Sequence, residues 1–142
     1  MPGARILIVD DEPQIRKLLR SLLSRQGYQV TEAGDGLEAL SLCQQGSSFD
    51  LLLTDIVMPQ MDGLQLSQKV TTMLPAVRVV LMSGKCEVEK VATQVRRFGF
   101  GFIKKPFQIE ELNESVRSQL SVGGTRRPRR RQPQTEDERP AK

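Results

Sequence analysis

The stretch Ile6-Leu7-Ile8-Val9-Asp10-Asp11-Glu12 decides the fold. Four consecutive apolar residues read as a strand buried on both faces, because a strand with one wet face would alternate apolar and polar residues. Directly after it, Ile15, Leu18, Leu19, Leu22 and Leu23 recur at helical spacing, with Arg16, Lys17 and Arg20 on the other side. Asp11 is placed to cap this helix, Pro13 fits its tolerant first turn, and Gly27 stops it. A buried strand running into an amphipathic helix is one β–α unit.

The unit repeats along the chain. A second strand is expected near 28–32 and a helix near 37–45, carried by Leu37, Ala39, Leu40, Leu42 and Cys43. Leu51, Leu52 and Leu53 predict a third strand, and Leu64, Leu66, Val70 and Met73 the apolar face of a helix over 64–73. Val77 and the run Val79 to Met82 predict a fourth strand, followed by a helix over 87–97. Gly101 to Ile103 is a short fifth strand before a last helix over 108–120, with Ile109, Leu112, Val116 and Leu120 inward. Five such units predict an α/β fold: a small doubly wound, five-stranded parallel sheet with five helices on its two faces. Periodicity leaves the strand order open.

Composition removes several functions. The 142 residues contain no His, which excludes Ser-His and Cys-His nucleophile pairs, histidine metal sites and an autophosphorylating histidine. Trp is absent and aromatic residues number six, too few for a nucleic-acid stacking platform. Cys43 and Cys86 lie far apart without a Cys-x-x-Cys, so two free thiols in a reducing compartment are expected. No apolar run is long enough to span a membrane, and Met1-Pro2-Gly3 followed so soon by Asp10 and Asp11 is no signal peptide. A soluble cytoplasmic protein is expected.

The formal net charge of +4 belongs to one segment. Residues 121–142 carry seven Lys/Arg against three Asp/Glu, whereas residues 1–120 carry 14 of each sign. The domain over 1–120 is therefore neutral. The segment 121–142 reads as a basic, disordered tail, since its three prolines and almost apolar-free composition leave nothing to offset the entropy of ordering. Its block Arg126, Arg127, Arg129, Arg130 and Arg131 is suited to a phosphate backbone, to an acidic partner, or to nothing beyond solvation.

In an open α/β sheet, ligands bind outside the carboxyl ends of the strands. Those ends carry Asp10, Asp11 and Glu12; Thr54 and Asp55; Ser83 and Gly84; and Lys104, Lys105 and Pro106. Several carboxylates in one crevice raise the cost of ionising one another, and a divalent cation relieves that. Oxygen-only ligands with room for water and phosphate suit Mg²⁺ rather than zinc. Beside the metal and a lysine, one carboxylate is placed to attack a phosphoryl group and form an acyl phosphate.

The segments Ile6 to Glu12, Leu51 to Gly63 (Leu-Leu-Leu-Thr-Asp-Ile-Val-Met-Pro-Gln-Met-Asp-Gly), Leu81-Met82-Ser83-Gly84 and Lys104-Lys105-Pro106-Phe107 together resemble the receiver domain of two-component response regulators over residues 5–120. The resemblance implies a flavodoxin-like strand order 2-1-3-4-5. It also implies that Asp55 is the phosphoacceptor and that Asp10, Asp11, Asp55 and the backbone carbonyl of Val57 hold Mg²⁺. Lys105 matches the family lysine that neutralises the phosphoryl group, before a peptide bond to Pro106 that is often cis in the family. Ser83 matches the switch hydroxyl and Phe102 the switch aromatic, although Phe102 also reads as plain filler. Asp62-Gly63 reads as turn chemistry.

A histidine kinase or histidine phosphotransfer protein is the implied phosphoryl donor, and a downstream protein reading the fourth helix, fifth strand and fifth helix the implied target. The chain is expected to be a phosphoacceptor rather than an enzyme. Val57 is apolar where the family often has a polar residue, and Lys85 stands where some members carry a water-positioning acid or amide; a slowly hydrolysing acyl phosphate is therefore expected. Phe98-Gly99-Phe100 departs from the small residues common at that place. Two contexts stay open: a stand-alone receiver, favoured by Met1 so near the first strand, and the C-terminal receiver of a hybrid sensor kinase. An aspartyl-nucleophile phosphatase of the haloacid-dehalogenase type would need Asp-x-Asp, and Glu12 stands two residues after Asp10. Nucleic acid enters only through the tail.

Overall fold

The opening apolar run forms β1 (Arg5–Val9) in a computed structural model that describes residues 3–84 and 87–123. The chain then alternates through α1 (Pro13–Arg25), β2 (Gln29–Ala33), α2 (Gly36–Gln44), β3 (Leu51–Asp55) and α3 (Gly63–Met73). It continues with β4 (Arg78–Ser83), α4 (Glu87–Phe98), β5 (Gly101–Lys104) and α5 (Ile109–Gly123). All strand pairs are parallel, in the order β2-β1-β3-β4-β5. The central places go to the most apolar strands. Every residue of β3 and all but the first of β1 and β4 are buried, whereas polar Gln29-Val30-Thr31-Glu32-Ala33 and four-residue β5 take the edges.

Alternation of side chains along the strands divides the core into two layers. Leu7, Val9, Leu52, Val79 and Leu81 pack under α2 and α3, with Val95 of α4 against them. Ile6, Ile8, Leu51, Leu53, Val80 and Met82 pack under Leu19 and Leu23 of α1 and Leu112, Val116 and Leu120 of α5.

Several boundaries and faces differ from the sequence reading. Glu12, not Asp11, is the N-cap of α1, and it makes no side-chain cap. The cause is Asp10, whose Oδ1 accepts the Glu12 N–H at 2.9 Å and holds the chain extended until Pro13. Helix α2 starts one residue before the expected span, because Asp35 caps it by accepting the Glu38 N–H. Ile109, expected inward, is 50% exposed: it opens α5, whose buried face falls on Leu112, Val116 and Leu120. Leu18, Leu37 and Met73 are likewise exposed, since their helices carry apolar stripes wider than the sheet covers. Helix α5 runs to Gly123, so residues 121–123 are helical rather than tail. The rest of the expected tail, with Lys85 and Cys86, lies outside the described residues. Cys43 is buried, and burial raises its thiol pKa, as befits an unreactive core cysteine.

The β3–α3 connection places the end of β3 most tightly. Asp62 caps α3 through the Gln65 N–H at 2.7 Å, and the Gln65 side chain returns to the Asp62 N–H at 3.1 Å. Gly63 donates to the Ile56 carbonyl at 2.8 Å, and a Cβ on it would overlap the Asp55 carbonyl oxygen. Between them Gln60 takes a left-handed φ of 71° in a turn closed by Met61 N–H to the Pro59 carbonyl at 2.7 Å. Because the clash at Gly63 is with backbone, Gly63→Ala is expected to destabilise the fold by about 2–3 kcal/mol in chemical denaturation. Unchanged stability would show that α3 is free to move off β3.

Candidate functional site at the carboxyl edge of the sheet

Strand register brings the sequence-predicted residues together. Val9 pairs with Thr54, Asp55 with Met82 and Ser83 with Lys104, so Asp10, Asp55, Ser83 and Lys105 stand at neighbouring strand ends. Oxygens of Asp10, Asp11 and Asp55 lie within 4.8 Å of one another. Asp10 is fully buried and Asp55 nearly so, while Asp11 faces solvent. Lys105 reaches in from the β5 side, its Nζ 3.0 Å from Asp10 Oδ2 and 3.5 Å from Asp55 Oδ2. Its backbone is fixed by a bond from Lys105 N–H to the Ser83 carbonyl at 2.7 Å, and the Lys105–Pro106 peptide is cis. A Cβ on Gly84 would come within 3.3 Å of Lys105 Cβ, so a small residue there leaves room for the lysine stem.

The other expected residues occupy distinct places. Ser83 is fully buried at the end of β4. Val57 lies two residues beyond Asp55 with its side chain 49% exposed. Phe102 is half-buried on β5 and packs with Val95 and Phe100 against the core layer under α4, away from the Ile103 face. Lys104 is exposed, as a solvated neighbour would be. Asp62 is the helix cap described above.

Sequence reading missed the brace on the far side of Asp10. Arg16 of α1 donates from Nη1 to the Asp10 carbonyl at 2.6 Å, and its Nε stands 3.4 Å from Glu32 Oε1 on β2. Arg20 adds a bond to Glu32 Oε2 at 3.1 Å. Arg16 and Arg20 had read simply as the wet side of an amphipathic helix. Their spacing of four puts them on one face, but nothing local shows that Glu32 lies opposite.

The electrostatics follow from burial first and from neighbouring charges second. Burial pushes the Asp55 pKa up to about 6; the Lys105 charge opposes the rise, and the charges of Asp10 and Asp11 add to it. Burial disfavours the Lys105 ammonium, yet its bond to Asp10 and the charges of Asp10 and Asp55 outweigh that and raise its pKa above the ordinary value. Three carboxylates, with no nitrogen or sulfur ligand beside them among the described residues and Asp11 open to solvent, are a donor set for a hard cation that keeps several waters, which describes Mg²⁺. Both Asp10 oxygens already accept one hydrogen bond, and each keeps a lone pair for a metal.

A folded-state pKa near 6 against 3.8 in a free side chain means the folded chain binds the Asp55 proton more tightly. Between those values stability falls as pH rises, and the ionised Asp55 is a cost fully present above about 6. In EDTA at pH 7.5, Asp55→Asn is therefore expected to melt above the wild type, with the gap closing as pH falls toward 4. A mutant melting below the wild type at pH 7.5 would show that the Lys105 pair outweighs the cost of burying the ionised carboxylate.

Comparison with known proteins agrees with this arrangement. Sporulation initiation phosphotransferase F of Bacillus subtilis (strain 168) is 32% identical over 122 residues, covering 86% of this chain and 98% of that protein. Sensor kinase CckA of Brucella abortus (strain 2308) is 33% identical over 83% of this chain, but the match spans only 13% of the kinase. Among solved structures, the response regulator TrrA of Thermotoga maritima in complex with Mg(2+)-BeF is 30% identical with a TM-score of 0.70, over 81% of this chain and 97% of that one. A CheY-like receiver domain protein from Methanospirillum hungatei is 28% identical with a TM-score of 0.79, over 87% and 98%. The model of the response regulator receiver domain matches residues 6–117. With its fold, acidic pocket and sequence in agreement, this chain belongs to the response regulator receiver domain family.

Proposed function

We propose that this receiver accepts a phosphoryl group on Asp55 from the phosphohistidine of a histidine kinase or histidine phosphotransfer protein, and that the modified domain switches a protein-binding face. The observation carrying this reading is the Asp55 carboxylate, buried at a strand end between two other carboxylates and 3.5 Å from the Lys105 ammonium. Asp55 is the nucleophile: its oxygen bonds to phosphorus as the phosphorus–nitrogen bond breaks, and the departing imidazole takes up a proton. Lys105 sits where it can neutralise the added charge, and Ser83 can donate a hydrogen bond to a phosphoryl oxygen. Asp10, Asp11, Asp55 and the Val57 carbonyl would hold Mg²⁺, which when bound supplies neutralisation of phosphoryl charge.

The added charge, about −1.5 to −2, is the switching force. It would draw Ser83 and Lys105 toward Asp55. Since Lys105 N–H is bonded to the Ser83 carbonyl, the ends of β4 and β5 would move together. Phe102, half-buried one strand away, would respond, and the surface of α4, β5 and α5 would present the change to a partner. Relay to a further histidine is the second reading, supported by the likeness to sensor kinase CckA. Among the described residues no helix is long and apolar enough to cross a membrane; a cytoplasmic setting is part of the proposal.

Intact-mass analysis with acetyl phosphate and Mg²⁺ tests the core of it. A gain of one phosphoryl group is expected in the wild type, and none in Asp55→Ala or with EDTA; a gain in Asp55→Ala would overturn the assignment. With apolar Val57 and basic Lys85 poorly suited to orient attacking water, the acyl phosphate is expected to outlast typical fast-decaying receivers. A half-life of only seconds without a phosphatase would refute that.

A further inference from the structure

We propose that Arg16 is a positioning residue for the metal-holding turn Asp10–Asp11, an inference that rests on the proposed function. Every polar atom of the buried Asp10 is engaged. Its N–H donates to the Ala33 carbonyl at 3.3 Å, its Oδ1 accepts from the Glu12 N–H at 2.9 Å, and its Oδ2 accepts from Lys105 Nζ at 3.0 Å. The fourth atom, the backbone carbonyl, accepts from Arg16 Nη1 at 2.6 Å. Asp10 lies one residue past the end of β1, so that carbonyl is held by a side chain where the strand ladder stops. Without Arg16 a carbonyl in a buried residue would lose a charge-assisted partner, and the peptide joining Asp10 to Asp11 would be fixed only by the Glu12 N–H bond to Asp10 Oδ1. That peptide sets the directions of two of the three candidate metal carboxylates.

The guanidinium suits this place because it is a fork. One nitrogen serves the Asp10 carbonyl while Nε faces Glu32 Oε1 at 3.4 Å, and Glu32 is held in turn by Arg20. The bonds tie the end of β1 to edge strand β2 through α1. Asp10 is thus clamped from the β5 side by Lys105 and from the β2 side by Arg16. Glu32, shared between Arg16 and Arg20, orients the Arg16 fork, and the role proposed for that fork is geometric.

Calorimetric titration of the full chain with Mg²⁺ tests this, alongside the Mg²⁺ dependence of Asp55 phosphorylation by acetyl phosphate. Arg16→Ala is expected to weaken Mg²⁺ binding about 10-fold, the usual lower bound for loss of a group that orients a metal ligand. The apparent KM for Mg²⁺ should rise while the maximal phosphorylation rate holds. Arg16→Lys keeps the charge but not the fork and should stay several-fold weak; full restoration by lysine would overturn the geometric role. Arg117→Ala, which removes an equal charge from an exposed pair on α5, should bind Mg²⁺ as the wild type does. Unchanged affinity in Arg16→Ala overturns the proposal, even if its melting temperature drops. Should that variant fail to fold, Glu32→Gln decides: weakened binding supports the brace and unchanged binding overturns it. If the wild type itself neither binds Mg²⁺ nor gains phosphate, the proposed function fails instead.

Discussion

Three carboxylates whose oxygens lie within 4.8 Å of one another are the constraint on which the structure turns. Left in water such groups would separate; here strand ends hold two of them buried and a third beside them. The Lys105 ammonium offsets the repulsion from Asp10 and Asp11, yet burial still holds the Asp55 pKa above that of a free carboxyl. The unmodified domain is therefore electrostatically loaded at one point. Anything that adds or removes charge there acts on a lever already under tension.

The fold is arranged to keep that point from relaxing. Asp55 cannot drift along β3, because Gly63 presses its backbone against the strand end and the Asp62–Gln65 cap anchors α3 behind it. Asp10 is bonded at all four of its polar atoms. Lys105 is tied to β4 through the Ser83 carbonyl. The β5 edge is built differently, with a short strand and Phe102 only half-buried. The adjoining surface of α4 and β5 carries exposed Phe98 stacked on Phe100, ring centroids 5.4 Å apart, with Arg97 over the Phe98 ring. Those side chains make its shape different from one built of small residues.

Much of the site was legible because chemistry at strand ends follows from finding the strands. Once Ile6–Val9, Leu51–Leu53 and the run ending at Met82 were read as strands, Asp10, Asp55 and Ser83 fell on one rim without further assumption. Errors arose where local pattern and tertiary contact compete. Asp11 had the composition of a cap, but Asp10 captured the Glu12 N–H first. Ile109 fitted a helical period, but it lies half exposed where α5 begins, and the buried face starts at Leu112. Arg16 looked like any arginine on a wet helix face, although its partners come from two strands.

By itself the sequence determined the alternation of five strands and five helices and the identity of the acids and the lysine at the rim, because each is written within a window of one strand and one helix. Strand order follows from ranking whole strands against one another, so periodicity left it open; the order 2-1-3-4-5 implied by the resemblance is the one the assembled sheet has, with β2 and β5 at its edges. The depth of Asp10, the approach of Lys105 and the brace from Arg16 to Glu32 likewise depend on residues 16 to 95 positions apart. A linear pattern carries no distance between such groups, and packing of the two core layers supplies it.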